Sequence, residues 1–235
     1  DAEGDGMKLG SITGGRDSDY VLSDLSADST AKDGLEIVAD NVTADSISVT
    51  KSKFLGMKLR GDNQAFSDVT VDSAGTSGIT HGGGDSVTMS GVTVKNSAQD
   101  ALRGIAPSNM TIRNSTFTNS GDQGLFFLNG SEIILDDVTV DTTTDHGVQF
   151  DGGTDLTVSG FEVNNANADG VNVTGSASDL TLKNVDVNTA GDRGMNLDGQ
   201  KNVTLDDVRT THTGSEGIKV LNSDTVTVRD VSAFN

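Results

Sequence analysis

The sequence predicts an all-β fold: a single-stranded right-handed parallel β-helix of about nine to ten coils. Three observations carry this expectation. A small residue followed by alternating apolar residues recurs every 22–24 positions. Asn, Asp and Gly recur at one fixed place inside that unit. The apolar residues are Val, Ile and Leu in short alternating runs, the pattern of half-buried strands.

The repeat is read from its leaders, the apolar residues that follow the small one. They are Leu35, Met57, Ile79, Leu102, Leu125, Val148, Val171, Met195 and Ile218, and a looser copy, "GMKL", begins at Gly6. One coil of this length cannot bury its apolar face alone, so successive coils must stack. Stacking places the residue two after each leader inward as well: Ile37, Leu59, His81, Gly104, Phe127, Phe150, Val173, Leu197 and Val220. The residue between them points outward, giving Glu36, Lys58, Thr80, Arg103, Phe126, Gln149, Asn172, Asn196 and Lys219. A core histidine facing a glycine one coil on suggests that the His81 ring is buried, hydrogen-bonded and fills the volume that Gly104 leaves.

About eight residues after each leader come two alternating strands joined by a tight corner, as in "VTMSGVTV", "IILDDVTV" and "LTVSGFEV". Each coil thus supplies three short strands and three bends. The corner stack reads Ser46, Asp68, Gly91, Asn114, Asp137, Gly160, Asn184, Asp207 and Asp230, residues that tolerate the left-handed region. Residues 1–34 read as an irregular first coil or amino-terminal cap, with Tyr20, Leu22 and Leu25 inward, and 35–235 as one continuous solenoid. The final "VRDVSAFN" carries no evident cap. It therefore suggests a longer parent chain, or self-association through the last coil.

Composition narrows the partners. Asp and Glu total 35 against 16 Lys and Arg, a formal charge of −19, which opposes binding to nucleic acid or an anionic membrane. Cysteine is absent, so thiolate metal sites and disulfides are excluded, and no apolar run approaches a bilayer span. The sequons at Asn41, Asn109, Asn114, Asn129, Asn172 and Asn202 follow from Asn-rich bends beside Thr-rich strands.

Candidate site residues gather before and after the leaders of the later coils. "TTTDHGVQFDGG" places Asp145 and His146 at a bend, and neighbouring coils add Asp122, Asp169, Asp192, Arg193, Glu216 and Lys219. The plain reading is a polar bend stack. The chemical reading takes Asp145, His146, Asp169, Arg193 and Lys219 as a catalytic face. A guanidinium there neutralises a uronate carboxylate, and a base removes the proton alpha to it. Asp122 and Asp145 occupy the same slot on adjacent coils, where oxygen ligands can share a Ca²⁺. Asp17 and Asp19 form a second carboxylate-rich candidate.

These coils resemble the pectin-lyase-like superfamily, and "DRGMNLDGQKNVTLDDV" and "SEGIKVLNSDTVTVRDV" are similar in cadence to secreted mannuronan C5-epimerases. The resemblance covers the chain from about residue 33. It implies an extracellular protein that meets polysaccharide, acidic polysaccharide among them. The epimerase D-P-H motif is absent, since Pro107 follows no aspartate, and Tyr20 lies outside the regular coils. "HGGGDS" does not repeat as a calcium-binding array, and every coil after residue 35 spans only 22–24 residues, without a long cleft-forming loop. The expectation is therefore a non-catalytic extracellular module presenting a polar face to polysaccharide, cations or neighbouring chains. The alternative is a polyuronate lyase, C5-epimerase or glycoside hydrolase acting along the first-strand face.

Overall fold

The computed structural model describes residues 4–10 and 19–234, and it is a parallel β-solenoid throughout. The leaders form one ladder of parallel pairs, Met7↔Leu35↔Met57↔Ile79↔Leu102↔Leu125↔Val148↔Val171↔Met195↔Ile218. The register expected from the spacing is the register observed. No helix occurs among the described residues, and none is long and apolar enough to cross a membrane.

The corners are sharper than three separate strands suggest. Leu125–Thr143 and Val148–Ala166 each run as one 19-residue strand around the coil. Single residues in the left-handed region bend these ribbons without ending their pairing. Asn129, Glu132, Asp137 and Thr142 serve in the first, each with φ between 50° and 55°. Every member of the predicted corner stack has positive φ, from Asp230 at 46° to Gly91 at 65°.

The first coil follows the same rule over its described residues. Met7–Gly10 pairs with Leu35–Val38, and Tyr20–Asp28 pairs with Val42–Thr50. Tyr20, Leu22 and Leu25 pack against the core from this strand. The described parts of this segment thus stand in register with the coil that follows; Asp17 lies outside the described residues. At the other end, Val226 and Val228 are exposed, although their paired residues Val203 and Leu205 are buried.

A continuous column of inward side chains fills the interior. Phe127 and Phe150 stack with ring centroids 5.3 Å apart. His81 is fully buried, as expected, but it does not fill the space beside Gly104. A side-chain carbon built on Gly104 would lie 2.9 Å from Phe127 Cδ1 and 3.2 Å from Pro107 Cγ, so those residues already occupy it. The imidazole instead reaches toward Gly84: Nε2 is 3.3 Å from where a Gly84 side chain would start. Neither ring nitrogen closes a hydrogen bond of normal geometry, against the sequence expectation. Burial pushes the ring pKa down to about 4, only partly offset by the Gly61 backbone and the Asp62 carboxylate.

This generates a pH prediction. The unfolded chain binds a proton at His81 near pH 6.5, whereas the folded chain refuses it until about pH 4. Stability therefore falls as pH drops through that window, by about 1.4 kcal/mol per pH unit for this one group. His81→Leu should remove that component. Urea midpoints at pH 7 and 4.5 should separate less in the variant, by an amount equivalent to roughly 2–3 kcal/mol. Equal pH dependence in the two proteins would contradict a buried neutral imidazole.

Candidate functional site

The bend before each first strand and the strand's outward slot build one polar face. It works by cross-coil bonding. His146 is the centre of it: its Nδ1 accepts the backbone N–H of Asp169 at 3.1 Å, one coil on. Its Nε2 lies 3.0 Å from the side-chain amide of Asn172 and 3.6 Å from Asp145 Oδ1. Asp169 Oδ2 is 3.7 Å from Nδ1.

Those contacts determine the imidazole's chemistry. A backbone N–H can only donate, so Nδ1 must offer its lone pair, and the neutral ring carries its proton on Nε2. Nε2–H then needs an acceptor, and the Asn172 group placed against it is Nδ2, so this tautomer requires the amide to be turned with its oxygen toward His146. Asn196 Nδ2 donates to Asn172 Oδ1 at 3.0 Å, a bond whose direction reverses when the Asn172 amide is turned. An imidazole held this way has no free lone pair for a substrate proton.

Arg193 is tied down as thoroughly. Its backbone N–H donates to Asp169 Oδ1 at 3.0 Å, and its Nη1 lies 3.4 Å from the same oxygen. Nη1 is also 3.1 Å from Asp192, and Nε is 3.3 Å from Glu216. The Nε contact is charge pairing without hydrogen-bond geometry. Asp169 is buried, and burial raises its pKa above the usual carboxylate range, while the Arg193 backbone and the His146 and Arg193 charges pull it back. Lys219 stands one rung beyond Asn196, and its charge helps hold Glu216 ionised.

Asp122 and Asp145 are brought to neighbouring coils, linked by an Asp145 N–H to Asp122 carbonyl bond of 3.3 Å. Burial raises the Asp122 pKa, and the Asp145 charge raises it further. Asp145 Oδ2 accepts a hydrogen bond of 2.9 Å from Gln123 Nε2. No group of three or more His, Cys, Asp or Glu residues that could hold a metal ion is found among the described residues. The two carboxylates would have to complete any ion's shell with water or ligand oxygens.

Of the five expected catalytic residues, the structure joins Asp145, His146, Asp169 and Arg193 in one network and leaves Lys219 at its margin. Sequence reading missed Asn172 and Gln123 as members. Register arithmetic could have found Asn172, because it occupies the outward slot on the coil after His146.

Two stretches of the chain, 55–190 and 147–235, match the family model described as "Right handed beta helix region". The chain belongs to that family, within the pectin-lyase-like type of fold. No curated protein sequence matches it. Among solved structures it is similar to one titled "Glycoside hydrolase", with 10% identity, TM-score 0.70, and 86% of this chain and 50% of that chain covered. It is also similar to the catalytic domain of a GH87 alpha-1,3-glucanase in complex with nigerose, with 12% identity, TM-score 0.65, and 99% and 50% coverage. A third is the enzymatically active domain of Bacteriophage CBA120 tailspike protein 2, with 15% identity, TM-score 0.58, and 93% and 40% coverage. The chain spans half or less of each of these structures, and at such identities they share its fold alone.

The tautomer assignment is testable. In ¹⁵N-labelled protein above neutral pH, His146 should show a protonated Nε2 and an unprotonated Nδ1. An Nδ1–H signature would mean that the Asp169 N–H bond does not form.

Proposed function

We propose that this chain is a non-catalytic extracellular β-helix module that presents its first-strand face to polysaccharide. One observation carries the reading: the ionisable groups of that face are bonded to one another. His146 is held by Asp169 and Asn172, and Arg193 by three carboxylates. General acid–base work needs a group free to exchange a proton with a substrate atom within hydrogen-bond reach. Here the imidazole lone pair and the guanidinium are engaged in the fold. The similar structure titled as an alpha-1,3-glucanase catalytic domain in complex with nigerose agrees with a polysaccharide setting. An acidic polymer would reach the face through a cation such as Ca²⁺ between Asp122 and Asp145, given the charge of −19.

The second reading is a glycoside hydrolase, and Asp122 favours it. A carboxyl whose proton affinity is raised by burial and by a neighbouring carboxylate has the tuning a general acid needs to protonate a glycosidic oxygen, with Asp145 as its partner. The two readings separate in one experiment. The protein is incubated with alginate, polygalacturonate and nigero-oligosaccharides while unsaturated-product absorbance, uronate NMR signals and reducing ends are followed. The module reading expects no product, with the protein retarded in polysaccharide affinity gels. Product that disappears in Asp122→Asn or Asp145→Asn would replace it with the hydrolase.

A further inference from the structure

We propose that the outward face around Phe126 is a subsite for one uncharged pyranose residue, with Phe126, Leu128 and Ile105 as its platform. The inference rests on the polysaccharide reading above and names the ligand class. Strand alternation puts Arg103 and Ile105 on one face of Leu102–Ile105, and Phe126 and Leu128 on the same face of the next coil. The rungs pair Arg103 with Phe126 and Ile105 with Leu128. Ile105 is 40% exposed, and Phe126 and Leu128 are half-buried.

The core does not explain this apolar group. Leu125 and Phe127 fill the inward places of that strand with no exposure at all. On the other rungs the same outward slot holds Lys8, Glu36, Lys58, Thr80, Arg103, Gln149, Asn172, Asn196 and Lys219. Phe126 is the one apolar member. The patch is two rungs by three residues, roughly 10 Å by 7 Å. That matches one sugar ring and falls far short of the ~800 Å² that a protein partner takes.

Its surroundings suit a sugar. Pyranose rings bring an apolar C–H face, which packs on aromatic and aliphatic side chains, and hydroxyls, which donate to carboxylates and amides. Phe126 has the amide of Gln149 on the next rung. Asp122 is close enough to feel the Arg103 charge, and Asp145 accepts from Gln123 beside it. Arg103 lies over the Phe126 ring at 4.4 Å from its centroid, and its Nη1 is anchored at 3.0 Å by buried Asp100. That anchoring also decides the ligand's charge. The cations on the Asp122 and Asp145 side of the patch are committed, Arg103 to Asp100 and Arg193 to Asp169, Asp192 and Glu216, while Arg60 reaches over Gly82 at the opposite, Ile105 end. A uronate would meet Asp122 and Asp145 without a free counter-charge.

An array of neutral and uronic-acid oligosaccharides tests the proposal, comparing the parent protein with Phe126→Ala, Phe126→Trp and Phe54→Ala. Far-UV circular dichroism checks that the outward-facing changes leave the solenoid intact. The expected result is binding to neutral glycans, at least tenfold weaker in Phe126→Ala, kept in Phe126→Trp and unchanged in Phe54→Ala, which alters a separate exposed aromatic. Neutral binding that survives Phe126→Ala overturns the subsite and leaves the polysaccharide reading standing. Binding confined to uronic-acid glycans overturns the ligand class. Binding to nothing on the array overturns the subsite and the polysaccharide reading together.

Discussion

The constraint on which everything else depends is the parallel backbone ladder, one coil above the next at about 4.8 Å. At that spacing each position in the repeat meets its own equivalents, so a residue is judged by what a column of its kind can tolerate. The small residue before each leader shows the limit. A side-chain carbon on Gly56 would lie 2.4 Å from the Gly78 carbonyl oxygen, and one on Gly147 would lie 2.5 Å from that of Gly170. Ala101 stands in this column, buried without remainder, so the limit belongs to local backbone geometry rather than to glycine alone. The corners obey a different limit. There the backbone must enter the left-handed region once per coil, and Asn, Asp and Gly do so at least cost.

Columns also govern charge. Identical carboxylates stacked at strand spacing repel, and a chain with 35 acidic residues would suffer if its ladders were uniform. The outward columns relieve this by alternating sign or by placing donors between acceptors. Glu36 lies between Lys8 and Lys58, with contacts of 2.5 and 2.9 Å, and hydrogen bonds from both hold its carboxyl below the usual range. Asp169, Arg193 and Glu216 repeat the device farther along. Where it fails, at Asp122 beside Asp145, burial raises the proton affinity of Asp122 and the Asp145 charge adds to it. The most chemically unusual carboxylates therefore stand where burial or repulsion outruns pairing.

The fold was legible because periodicity is a one-dimensional signal. Leaders 22–24 residues apart and a column of turn-forming residues specify both stacking and register, and the ladder from Leu35 to Ile218 is the result. Volume was less legible. The slots place His81 beside Gly104, but they do not reveal that Phe127 and Pro107 lean into the space the glycine opens. Nor could spacing give His146 its partners, since a bend residue's bonds depend on which way a short turn aims its side chain. The backbone N–H of Asp169 was invisible as a partner because every residue but proline has one. Phe126 was legible as an outward residue yet unremarkable until its column showed it to be the apolar exception.

Fold similarity at 10–15% identity leaves function to the side chains. Catalysis on such a scaffold asks for groups that converge on one substrate atom in a space that excludes water. This face does the reverse along most of its length. From Leu35 onward its coils are uniform at 22–24 residues, without a long loop beside the strand, and the polar groups converge on each other. A surface whose donors and acceptors are already paired binds by what it leaves over. Here that remainder is an apolar patch between amides and carboxylates, and at its edge Asp122, whose proton affinity burial and the Asp145 charge raise. Recognition needs only the first of these. Hydrolysis would need the second as well, with Asp145 released from Gln123 so that its oxygen could face a reacting carbon. The bond between Gln123 and Asp145 thus bears on both proposals: it commits one oxygen of Asp145 to the fold, which suits a face that would hold a sugar more than one that would attack it.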